Sequence, residues 1–341
     1  MLVTVAICTW NRSQLLNLTL QELTTLRIPK GVQWRLLVVN NNCRDDTDSV
    51  IRRYEGALPI ERLFEPKPGL SNARNCALAE ARGEWIVWTD DDVLIDPDWL
   101  VGFSETVDRF PNAAAVGGPI APWFPVEPDP DLAAAFPIIL KGFCGLDWGH
   151  EERPLSDREY LFGANMAFHL GRTEGLRFDP ACGRREHFQG GEDDLDFVRR
   201  VRARGGSVIW SPRMTVRHYV EPSRMTVDYM DRWFTDLGEF TVQRDGIPPG
   251  TRLFGMPRWL VRRYIEWYAK GLAARLPLRR VAHLKARQEY CYVRGLLRGC
   301  LRASASRVNG TSGATRSDTR MHSLERTVLS SGETMAAGPR P

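Results

Sequence analysis

Across residues 1–118, short β-branched runs alternate with segments of helical period, and this alternation constrains the fold more than any other feature of the 341-residue chain. Residues 2–8, 34–39, 60–64, 85–89 and 113–116 are strand-like apolar runs. Between them, residues 13–26 carry Leu15, Leu16, Leu18, Leu20, Leu23 and Leu26 at helical spacing. Residues 45–54 place Asp46 and Asp48 in the first turns of a second helix, and residues 71–82 are Ala-rich with Ser71 as N-cap. A fourth helix opens near Pro97 and runs to about Arg109. This βαβαβαβ rhythm predicts an α/β fold, a mostly parallel, doubly wound sheet with helices on both faces. Ligands of such sheets sit outside the carboxyl ends of the strands, so the residues that follow the strands matter most.

The rhythm stops at Gly118. Five prolines (Pro119, Pro122, Pro125, Pro128, Pro130) and several aromatics predict long loops to about residue 157. Residues 160–169 read as a strand, 192–204 as a helix, 208–210 and 215–219 as short strands, and 223–242 as a helix. A new composition begins at Pro257: residues 257–302 hold 12 basic and two acidic side chains, against 29 basic and 37 acidic in residues 1–256. There Leu260, Tyr264, Trp267, Tyr268 and Leu272 read as one apolar stripe, with Arg258, Arg262, Arg263, Glu266 and Lys270 elsewhere. Beyond Arg302 the chain is rich in Ser, Thr, Gly and Ala and reads as a disordered tail.

Composition excludes several classes. No run of 18 apolar residues exists to span a membrane. The opening MLVTVAICTWNR reads as a first strand, not a signal peptide. Seven cysteines, an odd number with no C-x-x-C pair, argue against a disulfide framework or a zinc site and fit a reducing, cytoplasmic compartment. A net charge of +4 is too small to point to nucleic acid.

Four polar clusters carry chemistry. Asp90-Asp91-Asp92 follows a strand. Adjacent carboxylates repel one another, and a divalent cation with oxygen ligands relieves that repulsion. A solvated acidic turn ahead of the Pro97 helix explains the run equally well. Gly190-Gly191-Glu192-Asp193-Asp194 opens a helix, where acidic groups also serve as ordinary dipole partners. Residues 65–75, EPKPGLSNARN, make a rigid turn into a helix carrying Arg74, a setting for an anion. Asn40-Asn41-Asn42 follows the second strand and can read a nucleobase or ribose edge, or simply make an Asx turn.

Taken together and in this order, VAICTWNR, VVNNNCRDDT, EPKPGLSNARN, GEWIVWTDDDV, LFGANMAF and GEDDLDFVRR resemble the family 2 glycosyltransferases over about residues 1–240. The resemblance implies the A-type, Rossmann-like nucleotide-sugar fold. It implies a nucleotide-sugar-binding half at 1–118 and an acceptor-binding half at 119–240; composition adds a basic amphipathic helical extension at 241–302 and the tail at 303–341. Thr9, Asn11 and Arg12 match the family's first nucleotide-contacting loop. Asn40 and Asn41 match the base-contacting position, although Asn40 stands where the family usually has Asp. Gly69, Ser71, Arg74 and Asn75 fall in the anion-binding turn and helix. Asp90, Asp91 and Asp92 match the metal and diphosphate motif, implying Mn²⁺ or Mg²⁺. Gly163, Ala164 and Asn165 resemble the acceptor-side segment. Asp193 matches the catalytic base, with Glu192 beside it. His218 stands where relatives sometimes carry a further metal contact, while a lone His is more often structural.

The implied reaction is transfer from a UDP-, GDP- or dTDP-linked sugar to a saccharide or lipid-linked hydroxyl in surface polysaccharide or glycolipid synthesis. One base and one metal favour inversion at the anomeric carbon. Trp123 is placed to stack on a sugar, whereas Trp85 and Trp88 read as core. Two competing readings are a sugar-nucleotide nucleotidyltransferase and an inactive nucleotide-sugar-binding protein. Residues 257–302 read either as a helix lying on anionic lipid at the inner membrane face or as one packed on the catalytic body.

Overall fold

The computed structural model describes residues 1–128, 130–182, 193–253, 256–273 and 280–308. The chain opens as β1 (Leu2–Thr9), α1 (Ser13–Leu23), β2 (Gln33–Asn40), α2 (Thr47–Arg53), β3 (Ile60–Phe64), α3 (Leu70–Glu80), β4 (Trp85–Asp90), β5 (Val93–Ile95), α4 (Trp99–Arg109) and β6 (Ala113–Gly117). There follow β7 (Ile120–Trp123), α5 (Pro130–Ile139), β8 (Arg153–Pro154), β9 (Met166–His169), α6 (Asp193–Ala203), β10 (Ser207–Trp210) and β11 (Val216–Tyr219).

Eight strands form the main sheet in the order β3-β2-β1-β4-β9-β6-β10-β8. β3, β2, β1 and β4 are mutually parallel. β9 runs antiparallel between β4 and β6, β10 is parallel to β6, and β8 is antiparallel at the edge. The sheet is therefore mixed but mostly parallel, as the rhythm predicts. β1 and β2 bury Val3, Val5, Ala6 and Ile7 together with Leu36, Leu37, Val38 and Val39, the near-continuous apolar runs expected of strands covered on both faces. The strand order reverses between β1 and β4, where Cys8 pairs with Asp90. That reversal opens a crevice at the carboxyl ends of the strands.

Three local expectations are corrected. The 118–157 stretch is not all loop. β7 forms in it because it lies at the edge of a three-stranded sheet β5-β11-β7, where Pro122 needs no donor, and α5 forms with Pro130 at its first position. Residues 160–169 are not one strand: a 3-10 turn at Gly163–Asn165 precedes β9, and Asn165 N donates to Phe162 O at 3.0 Å. Ser71 does not cap α3. Gly69 holds that position at φ +124°, its N–H donating to Asn41 Oδ1 at 2.9 Å, and Ser71 Oγ turns elsewhere.

The described chain forms two compact units, one of residues 1–128 and 140–225, the other of residues 129–139 and the chain from 226 onward. The second unit holds α5, α7 (Val227–Asp245), the short hairpin β12 (Arg252–Leu253) and β13 (Met256–Pro257), α8 (Arg258–Ala273) and α9 (Arg280–Val308). Thr226 caps α7, accepting from Tyr229 N at 3.1 Å. α7 and α9 approach closely through glycines. A Cβ on Gly238 would lie 2.1 Å from Tyr292 O, and one on Gly295 would lie 2.0 Å from Thr235 O. The basic extension is helical as expected, and its apolar stripe is only partly covered. Leu260 is buried while Tyr268 and Leu272 are exposed. α9 continues to Val308, and the remainder of the tail expected to be disordered lies outside the described residues. Among the described residues, no helix is long and apolar enough to cross a membrane.

One ion pair on the first unit predicts a pH dependence. Glu159 accepts from Arg153 Nη1 at 2.9 Å and Nη2 at 2.6 Å, and from Ser156 N at 2.8 Å. The Arg153 fork holds the Glu159 carboxyl down at about 2. A depressed carboxyl stabilises the fold above its unfolded value and loses that contribution as pH falls toward its folded value. Glu159→Gln should cost about 1 kcal/mol at pH 6 and progressively less as pH falls from about 4.5 to 2.5, read from urea midpoints.

Candidate active site

The crevice gathers side chains from the ends of β1, β2 and β4, from the starts of α3 and α6, and from β11. Its acidic centre is Asp90-Asp91-Asp92. Arg12, just after β1, donates through Nη1 to Asp92 Oδ2 at 2.7 Å and to Asp91 Oδ1 at 3.3 Å. Burial pushes the Asp91 carboxyl up to about 7; Arg12 pulls against this and Asp92 adds to it. The acidic run is therefore mostly buried, not the solvated turn that its sequence also allowed. Asp90 remains partly open, with its side chain 28% exposed.

His218 reaches this centre by strand pairing. β11 lies antiparallel to β5 with His218 opposite Val93, one residue beyond Asp92. His218 Nε2 is 3.3 Å from Asp92 Oδ1, and Nδ1 is 2.8 Å from Tyr219 O. A carbonyl only accepts, so Nδ1 carries a proton and Nε2 faces the carboxylates. Burial opposes a charged ring, but Asp92, Cys144 and Asp90 together overcome it and push the His218 pKa up to about 10. Asp90, Asp92 and His218 each offer one ligand atom, all within 4.8 Å of one another. Two carboxylates and one imidazole, with Asp90 open toward the crevice, suit Mn²⁺ or Mg²⁺ that keeps further positions for a substrate. Such a cation would displace the Nε2 proton of His218.

A second cluster lies at the start of α6. Asp193 is buried, and its Oδ2 accepts from Arg74 Nη1 at 2.9 Å and from Ser71 Oγ at 3.1 Å. Arg74 Nη2 lies 3.9 Å from Asp90 Oδ1, so one buried guanidinium joins the two acidic clusters. Burial opposes the Arg74 charge, and Asp193, Asp90 and Asp194 together overcome it. Arg74 lies over the Phe178 ring at 5.3 Å. Gly163 is required beneath it, because a Cβ there would sit 1.8 Å from Arg74 Nη2.

Other expected site residues are engaged in shaping the crevice. Asn40 Nδ2 donates to Asp48 Oδ1 at 2.6 Å, and Asn40 Oδ1 accepts from Cys43 N at 2.7 Å. An Asp at position 40 would face Asp48 with like charge, so the local departure from the family pattern has a structural partner. Asn41 donates to Glu65 O and Lys67 O at 2.9 and 2.8 Å and thereby fixes the proline-rich turn. Asn75 exchanges two hydrogen bonds with the Phe178 backbone. Asn11 adopts φ +52°, and its Oδ1 accepts from Arg44 N at 2.7 Å. Thr9 ends β1 and is buried.

Asn165 is fully buried; it accepts from Trp99 Nε1 at 2.8 Å and donates to Met214 O and Pro119 O. Its amide has no group left for an acceptor, and Ala164 is buried beside it. Trp123 ends β7 partly exposed, its ring 5.3 Å from that of Tyr219. Glu192 lies outside the described residues.

Two members of the second cluster had no role assigned from the sequence. Asp194 Oδ2 accepts from Gly163 N at 2.8 Å, and burial, with Asp193 adding, pushes its carboxyl up to about 6. Its place in GEDD was the available signal. Phe178 had none, since only the folded chain brings it under Arg74.

Residues 4–123 match the family model described as glycosyl transferase family 2. The chain carries a family 2 glycosyltransferase domain. The Rhizobium meliloti succinoglycan biosynthesis protein ExoM is 26% identical over 235 residues, covering 67% of this chain and 70% of that protein. The Haloferax volcanii glucosyl-dolichyl phosphate glucuronosyltransferase is 25% identical over 166 residues, covering 48% of this chain and 51% of that protein. Among solved structures, S. aureus TarS 1-349 in complex with UDP superposes with TM-score 0.51 at 15% identity, covering 87% of this chain and 91% of that chain. That likeness identifies the glycosyltransferase fold. The matched family segment contains the whole Asp90–Asp92 run and Arg74, while Asp193 and His218 lie beyond it.

Proposed function

We propose that this glycosyltransferase moves a sugar, with inversion, from a nucleotide-diphospho-sugar to a hydroxyl acceptor in the assembly of a surface polysaccharide or glycolipid. The observation that carries the proposal is the Arg74 bridge. It ties a candidate base, Asp193, to an acidic group that can hold a divalent cation, so base and leaving-group ends share one crevice.

In this reading Asp90, Asp92 and His218 would hold Mn²⁺ or Mg²⁺, which would supply charge neutralisation for the nucleoside diphosphate leaving group. Arg12 keeps Asp91 and Asp92 in place without drawing a counter-ion from solvent. The turn fixed by Asn41 presents the start of α3 to the donor's phosphates. Asp193 accepts the acceptor's hydroxyl proton as its oxygen attacks the anomeric carbon on the face opposite the leaving group. Arg74 and Ser71 orient Asp193 Oδ2 and leave Oδ1 for that proton. One base and a direct attack give inversion, so an α-linked donor yields a β-linked product. Relatedness to a succinoglycan biosynthesis protein supports the polysaccharide setting.

The test is a thermal-shift panel of UDP, GDP and dTDP with and without Mn²⁺, followed by product analysis with the donor that stabilises best. Wild type should be stabilised by one nucleotide in a Mn²⁺-dependent way. Asp92→Asn and His218→Ala should each weaken that dependence by roughly 10–100-fold in Mn²⁺ concentration. Release of pyrophosphate in place of nucleoside diphosphate would favour a nucleotidyltransferase. Retention of anomeric configuration by NMR would overturn the single-displacement reading.

A further inference from the structure

We propose that the outward face of α8 docks on an anionic lipid surface. The apolar arc of α8 is wider than its contact with α9. Leu260, Tyr264 and Trp267 turn inward toward α9, where Tyr264 Oη meets Tyr290 Oη at 2.7 Å and His283 Nδ1 lies 3.0 Å from Gly271 O. Val261, Ile265, Tyr268 and Leu272 recur at i, i+4, i+7 and i+11 and form a stripe beside the inward one, with the Tyr268 ring at its inner edge, 5.6 Å from the Tyr290 ring of α9. Along this stripe Ile265 is 62% exposed, Tyr268 51% and Leu272 44%. A helix whose inward packing is already complete has no reason of its own to place a second apolar stripe in water.

Charge identifies the occupant. Arg258 and Arg262 are exposed and flank the stripe toward the helix N-terminus. The nearest acid, Glu266, is held by Lys270 Nζ at 2.7 Å and offers no opposing charge. The whole 257–302 segment carries 12 basic and two acidic side chains. Pairing two copies through this stripe would set basic flanks against basic flanks with no acid to relieve them. A bilayer of anionic headgroups offers the complementary sign at the stripe's border and apolar depth beneath it. Tyr268 suits the boundary, with an apolar ring and a hydroxyl for the headgroup layer. A lipid surface also fits an enzyme whose acceptor is lipid-linked, although the docking face is argued without that reading and is tested without turnover.

The test uses the full chain and flotation with two kinds of vesicle, phosphatidylcholine alone and phosphatidylcholine mixed with phosphatidylglycerol. Wild type should float with the anionic vesicles and roughly tenfold less with the neutral ones, and salt should weaken binding. Ile265→Ser, Tyr268→Ser and Leu272→Ser combined should cut binding by roughly tenfold or more. Arg258→Gln and Arg262→Gln should each cut it by about fivefold. All five positions are exposed or border solvent, and an unchanged thermal midpoint with an unchanged Mn²⁺-dependent nucleotide shift separates lost docking from lost folding. No flotation of wild type, or equal flotation of the triple variant, overturns the proposal. So does a dimer in analytical ultracentrifugation that the triple variant converts to monomer without any lipid binding, which would assign the face to a second copy of the chain.

Discussion

Asp193→Asn should fold as the wild type does and transfer sugar roughly 10²- to 10⁴-fold more slowly, with donor binding nearly unchanged. The fold should survive because Arg74 keeps two carboxylates, Asp90 and Asp194, after the third is neutralised. The amide is nearly isosteric and still offers an oxygen to Arg74 Nη1 and Ser71 Oγ. Neutralising Asp193 also removes a like charge that raises Asp194, so Asp194 should ionise at lower pH in the variant. Rate loss without loss of nucleotide stabilisation is the signature of a group acting in the chemical step. Single-turnover rates beside a nucleotide thermal-shift titration measure both halves. Near-normal transfer by the variant would remove Asp193 from the base role.

The second large effect is on Arg74. Arg74→Met should destabilise the first unit by about 3–5 kcal/mol, because breaking a buried pair strands the remaining charge. Asp193 would lose its shortest charged partner at 2.9 Å, and Asp90 the cation at 3.9 Å. Methionine approximates the aliphatic stem, so what is lost is the guanidinium, with its ion pairs and its stacking over Phe178. The Asp194 carboxyl, which Arg74 holds down, would then be protonated at higher pH, and the variant's stability should fall as pH rises through its new value. Urea unfolding from pH 5 to 8 measures this. Pairing Arg74→Met with Asp193→Asn should recover part of the loss, since the double change removes one unpaired charge. A double variant no better than the sum of the two singles would argue against the bridge.

The fold was legible where physics is local. Alternating apolar runs predicted β1 to β4, β6 and the helices between them within a few residues, because buried strands must be largely apolar, whereas the three-residue β5 was missed. Where a tertiary partner decides, the sequence was silent. β7 is a strand only because β11 arrives about a hundred residues later to pair with it. Ser71 reads as an N-cap in isolation, yet its hydroxyl is drawn to Asp193, 122 residues away. The acidic run and the Glu-Asp helix start could be picked out as chemistry, but nothing in their spacing revealed that Arg74 would join them. His218 was ambiguous as a lone histidine and gained meaning only when sheet pairing set it opposite Val93. Asn41, Asn75 and Asn165 show the converse: residue types suited to ligands whose amides are engaged by the backbone around the crevice.

The placing of α5 has a consequence for how this enzyme can be divided or recombined. The chain leaves the first unit at residue 128, contributes α5 to the second, returns at 140 and leaves again at 225. The units are therefore sewn together by three crossings, not joined by one tether. A stop codon after the last strand of the sheet would not release a clean catalytic fragment. It would abandon α5, with buried Leu132, Ala135 and Ile139, without the helices it belongs to. Gene fusion or module exchange at a single junction meets the same obstacle. No single cut in the chain separates the two units.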